Sequence, residues 1–134
     1  MPELLSGEQV INVNRAANMR RSRLYVCPVC GNVLHAAGSA MISCCGVTLP
    51  PLEAEQPDEA HDVRIEDIEH ELYTSSAHPM SKSHYLSFAA CCTDDRFELV
   101  RFYPEGNAEA RFFRRGHGIL YWYCNRHGLF FKRF

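Results

Sequence analysis

Four cysteines stand in two pairs, Cys27-Pro28-Val29-Cys30-Gly31 and Cys44-Cys45-Gly46. They fall within a stretch of about 25 residues, too short to bury a core of its own. Leu24-Tyr25-Val26 reads as a strand running into C-x-x-C-G, whose glycine permits a turn that bares backbone N–H groups toward sulfur. A turn rich in glycine and alanine, His35–Ala40, then separates the pairs. Four thiolates in two pairs suit one tetrahedral ion, and a segment this small needs an ion to hold it together. The second pair is unusual. Where a ribbon-type site would repeat C-x-x-C, Cys44 and Cys45 are adjacent, which strains the pair if both bind one ion.

A second concentration of donors lies further on. Leu120-Tyr121-Trp122-Tyr123 leads into Cys124-Asn125-Arg126-His127-Gly128, a turn that can present a thiolate and an imidazole to one ion. His78-Pro79-Met80-Ser81-Lys82-Ser83-His84-Tyr85 is a proline-initiated loop that can fold both its histidines toward one point. With His61 these residues make four imidazoles and one thiolate. The chain holds seven cysteines and seven histidines in 134 residues. The N-terminus, Met1-Pro2-Glu3-Leu4-Leu5, has neither a basic start nor an apolar core, and no apolar run is long enough to cross a membrane. A cytoplasmic location is therefore expected, with reduced thiols, so the surplus reads as metal ligation rather than disulfides. The net charge of −2 supplies no basic field for nucleic acid.

The remainder sets the organisation. Residues 1–23 read as an N-terminal arm, with a capping box at Ser6-Gly7-Glu8-Gln9 opening a short helix. Residues 24–49 are the four-cysteine domain. Pro50–Ala60 is acidic and proline-rich and reads as a linker. From His61 to Phe134, short strands alternate with turns. A hairpin turns near Glu66-Asp67, and Tyr85–Cys92 is a mostly buried strand. Phe97–Tyr103, Ala108–Arg114 and Ile119–Tyr123 follow. That rhythm indicates an all-β antiparallel sandwich or barrel.

Residues 24–49, with their adjacent cysteines, resemble desulforedoxin, a small module in which four thiolates hold one iron. The chain from 24 to about 131 resembles desulfoferrodoxin, the two-iron superoxide reductase family. It shows H-P-M-x-x-x-H-Y at 78–85, Pro104-Glu105-Gly106, and C-N-x-H-G-L at 124–129, in the family's order. The resemblance implies an immunoglobulin-like β-sandwich behind the small iron domain. It implies an iron centre with His61, His78, His84 and His127 as equatorial imidazoles and Cys124 as axial thiolate, the sixth position open. Cys27, Cys30, Cys44 and Cys45 would hold the second iron, with zinc the other candidate there. It further implies one-electron reduction of superoxide to hydrogen peroxide, a rubredoxin-type electron donor, and a homodimer. A ferrous ion with four neutral imidazoles and one thiolate carries a formal charge of about +1, which attracts an anion.

The sequence departs from the family at one informative place. The family has Glu-Lys before the first histidine; here Glu59-Ala60 precede His61. Glu59 keeps the glutamate that the family can bring to the ferric ion. The lysine that draws in superoxide is missing, and Lys82 is the candidate substitute, with Arg126 second. His61 lies only 17 residues before His78, so His70 competes for the first ligand position. Phe130 stands where the family often has tryptophan, and both shield the site. Tyr85 is expected beside the iron, and His117 in a structural turn. Cys91 and Cys92 match no ligand position and read as buried strand thiols. The alternative to a superoxide reductase is an electron-transfer or metal-binding protein that uses only the four-cysteine centre. A zinc-ribbon interaction module is disfavoured by Cys44-Cys45 and the H-P-M loop.

Overall fold

The computed structural model describes residues 18–134. The capping box at Ser6 and its helix lie outside the described residues. Four short strands come first: β1 (Arg23–Val26), β2 (Val33–Ala36), β3 (Ile42–Cys44) and β4 (Val47–Leu49). They form two antiparallel hairpins, β1–β2 and β3–β4. Seven longer strands follow: β5 (Arg64–Ile68), β6 (Glu71–Ser75), β7 (Leu86–Cys92), β8 (Phe97–Arg101), β9 (Glu109–Phe113), β10 (Ile119–Cys124) and β11 (Gly128–Arg133). One sheet has the order β5-β6-β9, the other β11-β10-β7-β8. The chain crosses between them after β6, β8 and β9, so the two sheets make an antiparallel sandwich. All-β architecture with a small cysteine module ahead of a sandwich is what the sequence led us to expect.

Alternation explains which face is buried. In β10, Leu120, Trp122 and Cys124 point inward and are fully buried, while Tyr121 and Tyr123 point the other way. The inner layer joins Leu72, Ala110 and Phe112 of the three-stranded sheet to Leu86, Ala89, Leu120, Trp122 and Phe130. Each large side chain buried there contributes about 1.5–3 kcal/mol. The outer face of the four-stranded sheet is covered too. Phe88, Ala90 and Leu129 pack with Leu24 and with half-buried Val26, Val33, Leu52 and Tyr123. With both faces covered, β7 is buried at every residue, which is why Leu86–Cys92 shows no alternation in sequence.

The acidic, proline-rich segment before His61 is laid along the sandwich. The Glu55 N–H donates to the Leu129 carbonyl at 3.0 Å, and the Phe131 N–H donates to the Glu55 carbonyl at 3.0 Å. Leu52 N–H donates to Leu24 O at 2.8 Å. The stretch thus covers the β11 edge of the four-stranded sheet, whose backbone groups would otherwise be free to pair with another chain.

Several local expectations change. The first hairpin of the sandwich turns at Glu69-His70, with φ of 50° and 68°, not at Glu66-Asp67. Two positive φ values make a type I′ turn, whose twist suits the flanking strands, and Glu-His is not the residue pair that signals one. His35 and Ala36, expected to open a turn, are strand instead: they end Val33–Ala36, which pairs with β1, and His35 lies flat on Phe97, ring centroids 3.8 Å apart. Strands β3, β4 and β11 were not anticipated. The first two are only three residues long, and β11 follows directly on the ligand turn.

Candidate metal centres

The four-cysteine cluster rests on two turns. At the first, Gly31 N–H donates to Cys27 O at 2.9 Å and Cys27 N–H to Asn32 O at 2.9 Å, with Gly31 at φ 73°. At the second, Cys45 and Gly46 are the two central residues of a type I′ hairpin turn, φ 52° and 74°, closing β3 onto β4. This resolves the adjacent pair. Cys44 ends a strand and Cys45 begins the turn, so the reversal of the chain brings both sulfurs to one side. Cys44 Sγ lies 3.7 Å from Cys30 Sγ and 3.9 Å from Cys45 Sγ. A tetrahedron with metal–sulfur bonds of about 2.3 Å has edges near 3.8 Å, so the spacing fits one ion.

The four sulfurs are within 4.8 Å of one another. The Cys30 backbone N–H, followed by opposing burial and further hydrogen bonds, brings the Cys27 thiol down to about 7. Hydrogen bonds with Cys30, Cys27 and Cys44 push Cys45 up to about 12. The Cys27 thiolate thus disfavours ionisation of Cys44 and Cys45, and a bound cation would remove that conflict. The hairpins' own core is small, Tyr25, Cys27 and Leu49 with a few half-buried neighbours, in keeping with a segment that needs a metal staple.

The second cluster is built at one end of the sandwich from three segments. His61 ends a 3₁₀ turn, Glu59–His61. His78 and His84 flank the loop that enters β7. Cys124 ends β10, and His127 sits in the turn to β11. One ligand atom each from His61, His78, His84 and Cys124 lies within 4.8 Å of the others. His127 Nδ1 is 3.1 Å from His61 Nε2 and 3.4 Å from Cys124 Sγ. The rings close a four-sided circuit. Centroid distances are 5.0 Å for His61–His78, 4.6 Å for His78–His84, 5.1 Å for His84–His127 and 4.6 Å for His127–His61. The His61–His84 diagonal is 6.4 Å, longer than every edge. His127 turns Nδ1 inward because the three-residue step from Cys124 brings its backbone close to the centre.

The loops are cross-braced. Asn125 accepts from Tyr85 N–H at 2.9 Å and donates to Ser83 O at 3.1 Å. Arg126 Nε also donates to Ser83 O, at 3.0 Å. Ser81 Oγ accepts from His84 N–H at 3.1 Å. The Glu105 N–H donates to Met80 O at 2.6 Å, so the Pro-Glu-Gly turn supports the H-P-M loop. A bulge between Tyr123↔Phe88 and Cys124↔Leu86 re-aims the start of β7 next to the site.

His61 is held on every side but one. Its Nδ1 meets Asp58 Oδ1 at 2.6 Å, its carbonyl accepts from Trp122 Nε1 at 2.7 Å, and Phe130 stacks on the ring at 4.6 Å. His78 Nδ1 donates to Pro79 O at 2.7 Å, which leaves Nε2 unprotonated. Among the described residues, His78 Nε2 and His84 Nε2 are buried polar atoms with no hydrogen-bond partner. Two orphaned buried nitrogens facing a thiol and two more imidazoles fit a metal ion. Burial lowers the pKa of both histidines, with neighbouring imidazoles adding at each and Arg126 at His84. That favours the neutral form, the one that binds metal. The hydrogen bond from His61 holds the Asp58 carboxyl below its usual range.

Other residues singled out in the sequence fall elsewhere. Glu59 and Lys82 are exposed, and neither enters an ion pair among the described residues. His70 occupies the β5–β6 turn and His117 approaches Phe134 O at 3.3 Å, both outside the cluster. Cys91 and Cys92 are buried. Asp58, Asn125 and Trp122 escaped functional notice. Asp58 left one trace, a capping residue three positions before a histidine.

A sandwich with four imidazoles and a thiolate gathered at one end, and a four-cysteine cluster ahead of it, defines a two-centre metalloprotein. No family model matches the chain. It is 30% identical over 116 residues to a desulfoferrodoxin homolog of Archaeoglobus fulgidus, covering 80% of this chain and 93% of the relative. It is 26% identical over 117 residues to a desulfoferrodoxin of Desulfarculus baarsii, covering 81% and 93%. The crystal structure of the superoxide reductase from Treponema pallidum shares the fold, with a TM-score of 0.73 at 20% identity, over 84% of this chain and 98% of that one. The chain belongs to the desulfoferrodoxin family.

Proposed function

We propose that this protein is a superoxide reductase: superoxide, one electron and two protons give hydrogen peroxide. The observation that supports this most is the closed circuit of four imidazoles over a buried thiol, with two orphaned nitrogens aimed into it. His61, His78, His84, His127 and Cys124 would hold an iron ion, which would supply the one-electron chemistry. The protein's own groups do the rest. Cys124, fully buried, supplies a thiolate shielded from solvent, whose negative charge favours transfer of an electron away from the centre. Neutral imidazoles leave the net charge positive and attractive to an anion. His127, exposed at the rim, leaves the approach open to solvent. Lys82 and Glu59, also at the surface, serve substrate capture and the sixth position respectively.

In this reading residues 61–134 are the catalytic domain and 24–49 an accessory iron domain, joined through 50–60. Electrons come from a rubredoxin-type donor, and the protein works as a cytoplasmic homodimer. Among the described residues no helix is long and apolar enough to cross a membrane.

The product balance tests the reading. Reduced, iron-loaded protein given superoxide should form peroxide with no dioxygen beyond spontaneous dismutation, and Cys124→Ser should abolish this. Dioxygen released alongside peroxide in equal amount would indicate a dismutase instead.

A further inference from the structure

We infer that Asp58 is a positioning residue for the histidine–thiolate centre, and that its negative charge strengthens donation by His61. The inference rests on the proposed centre and extends it to a residue outside the ligand set. Asp58 Oδ1 lies 2.6 Å from His61 Nδ1 and 2.9 Å from the His61 backbone nitrogen. One carboxylate oxygen therefore caps the 3₁₀ turn and accepts the hydrogen bond of the ring N–H as well. The ring is buried, 5% exposed, and clamped by Phe130 and by the bond from Trp122 to its carbonyl. Rotation is closed off, and Nε2 is the one nitrogen left to face His127 and the centre.

The four imidazoles are not equivalent in this respect. His78 donates its Nδ1–H hydrogen bond to a neutral carbonyl, Pro79 O. Among the described residues, His61 alone of the four donates its Nδ1–H to a carboxylate. A carboxylate partner fixes the tautomer and makes the opposite nitrogen more basic, so it donates more to a bound cation. More donation stabilises the oxidised over the reduced metal. The side chain of Asp58 is 65% exposed, so solvent screens its field at a distance. The short, directed hydrogen bond is what carries the effect.

A simpler role is that Asp58 only caps the turn. Asparagine caps as well as aspartate, so Asp58→Asn separates the two: it keeps an oxygen for the cap and ring proton but removes the charge. Full-length protein is loaded with iron, and the midpoint potential is followed through the thiolate-to-ferric absorption of the Cys124 centre. In parallel, Co²⁺ affinity of that centre is measured by competition in iron-free protein whose four-cysteine cluster has been filled with zinc.

The expected result for Asp58→Asn is a higher midpoint potential and Co²⁺ binding about 10–100-fold weaker, with thermal unfolding of the metal-free protein unchanged. Asp58→Ala should lose at least as much affinity. Wild-type potential and Co²⁺ affinity within twofold in Asp58→Asn, with only Asp58→Ala impaired, would reduce Asp58 to a cap and overturn the inference alone. A wild-type protein that shows no thiolate absorption on iron loading would overturn the centre itself, and the inference with it.

Discussion

Replacing Trp122 with phenylalanine tests how firmly the sandwich holds the first histidine. Trp122 is fully buried, and its indole N–H donates to the His61 carbonyl at 2.7 Å. Phenylalanine keeps a ring in the core but removes the donor and leaves a void. A buried acceptor left without a partner costs about 1–3 kcal/mol. The volume lost is on the order of 40 Å³, which at the usual cavity coefficient adds about 1 kcal/mol. The sum, about 2–4 kcal/mol, is a large part of the ~5–15 kcal/mol that folds a domain. The assay is urea unfolding of metal-free protein. It must be followed by far-UV circular dichroism, because Trp122 is the only tryptophan and its fluorescence disappears with it. A loss under about 1 kcal/mol at unchanged m-value would refute the reasoning. It would mean that the His61 carbonyl finds another partner and that Trp122 does not anchor the ligand.

Other outcomes follow from the same geometry. Asn125→Ala removes two bonds of about 0.5–1.5 kcal/mol each between the ligand loops; competition titration should show several-fold weaker metal binding at the histidine–thiolate centre, with the four-cysteine centre unchanged. Gly46→Ala places a side chain at φ 74°, costing about 1–2 kcal/mol, and should weaken zinc binding by the four cysteines while leaving the sandwich's unfolding intact. Burial holds His78 and His84 below their ordinary value of 6.5, so the unfolded chain takes up those protons first. Their contribution to metal-free stability is intact above about pH 6.5 and lost as pH falls through the folded values; urea midpoints that rise on acidification would contradict this. Burial pushes Cys91 up to about 12 and raises Cys92, so mass spectrometry should find both unalkylated in the folded protein and modified after denaturation.

The candidate ligand residues were legible because metal chemistry restricts such residues to a few side-chain types at a few spacings. The strand rhythm of the sandwich was legible for a similar reason: β9 alternates buried and exposed, and β10 buried and half-buried. What the sequence concealed was decided by partners distant in the chain. Leu86–Cys92 reads as a mostly buried strand without alternation, and the packing of Leu24 and Val26 on the outer face shows why. The stretch before His61 reads as a linker, and nothing in its sequence announces that Glu55 bonds to Leu129 and Phe131, more than seventy residues away. The adjacent cysteines looked strained until Cys45 was seen to occupy a turn position at φ 52°. Asp58 and Trp122 carry no motif; their importance lies in three side-chain hydrogen bonds to one histidine.

The most direct test of the central claim is rapid mixing of superoxide with anaerobically reduced, iron-loaded protein while the visible spectrum is recorded. A superoxide reductase site should oxidise rapidly, one equivalent per superoxide, with a thiolate-to-ferric charge-transfer band that Cys124→Ser removes. If superoxide instead decays at its spontaneous rate while only the four-cysteine centre changes colour, the cluster of His61, His78, His84, His127 and Cys124 is not an active site, and the protein acts through its four-cysteine centre alone.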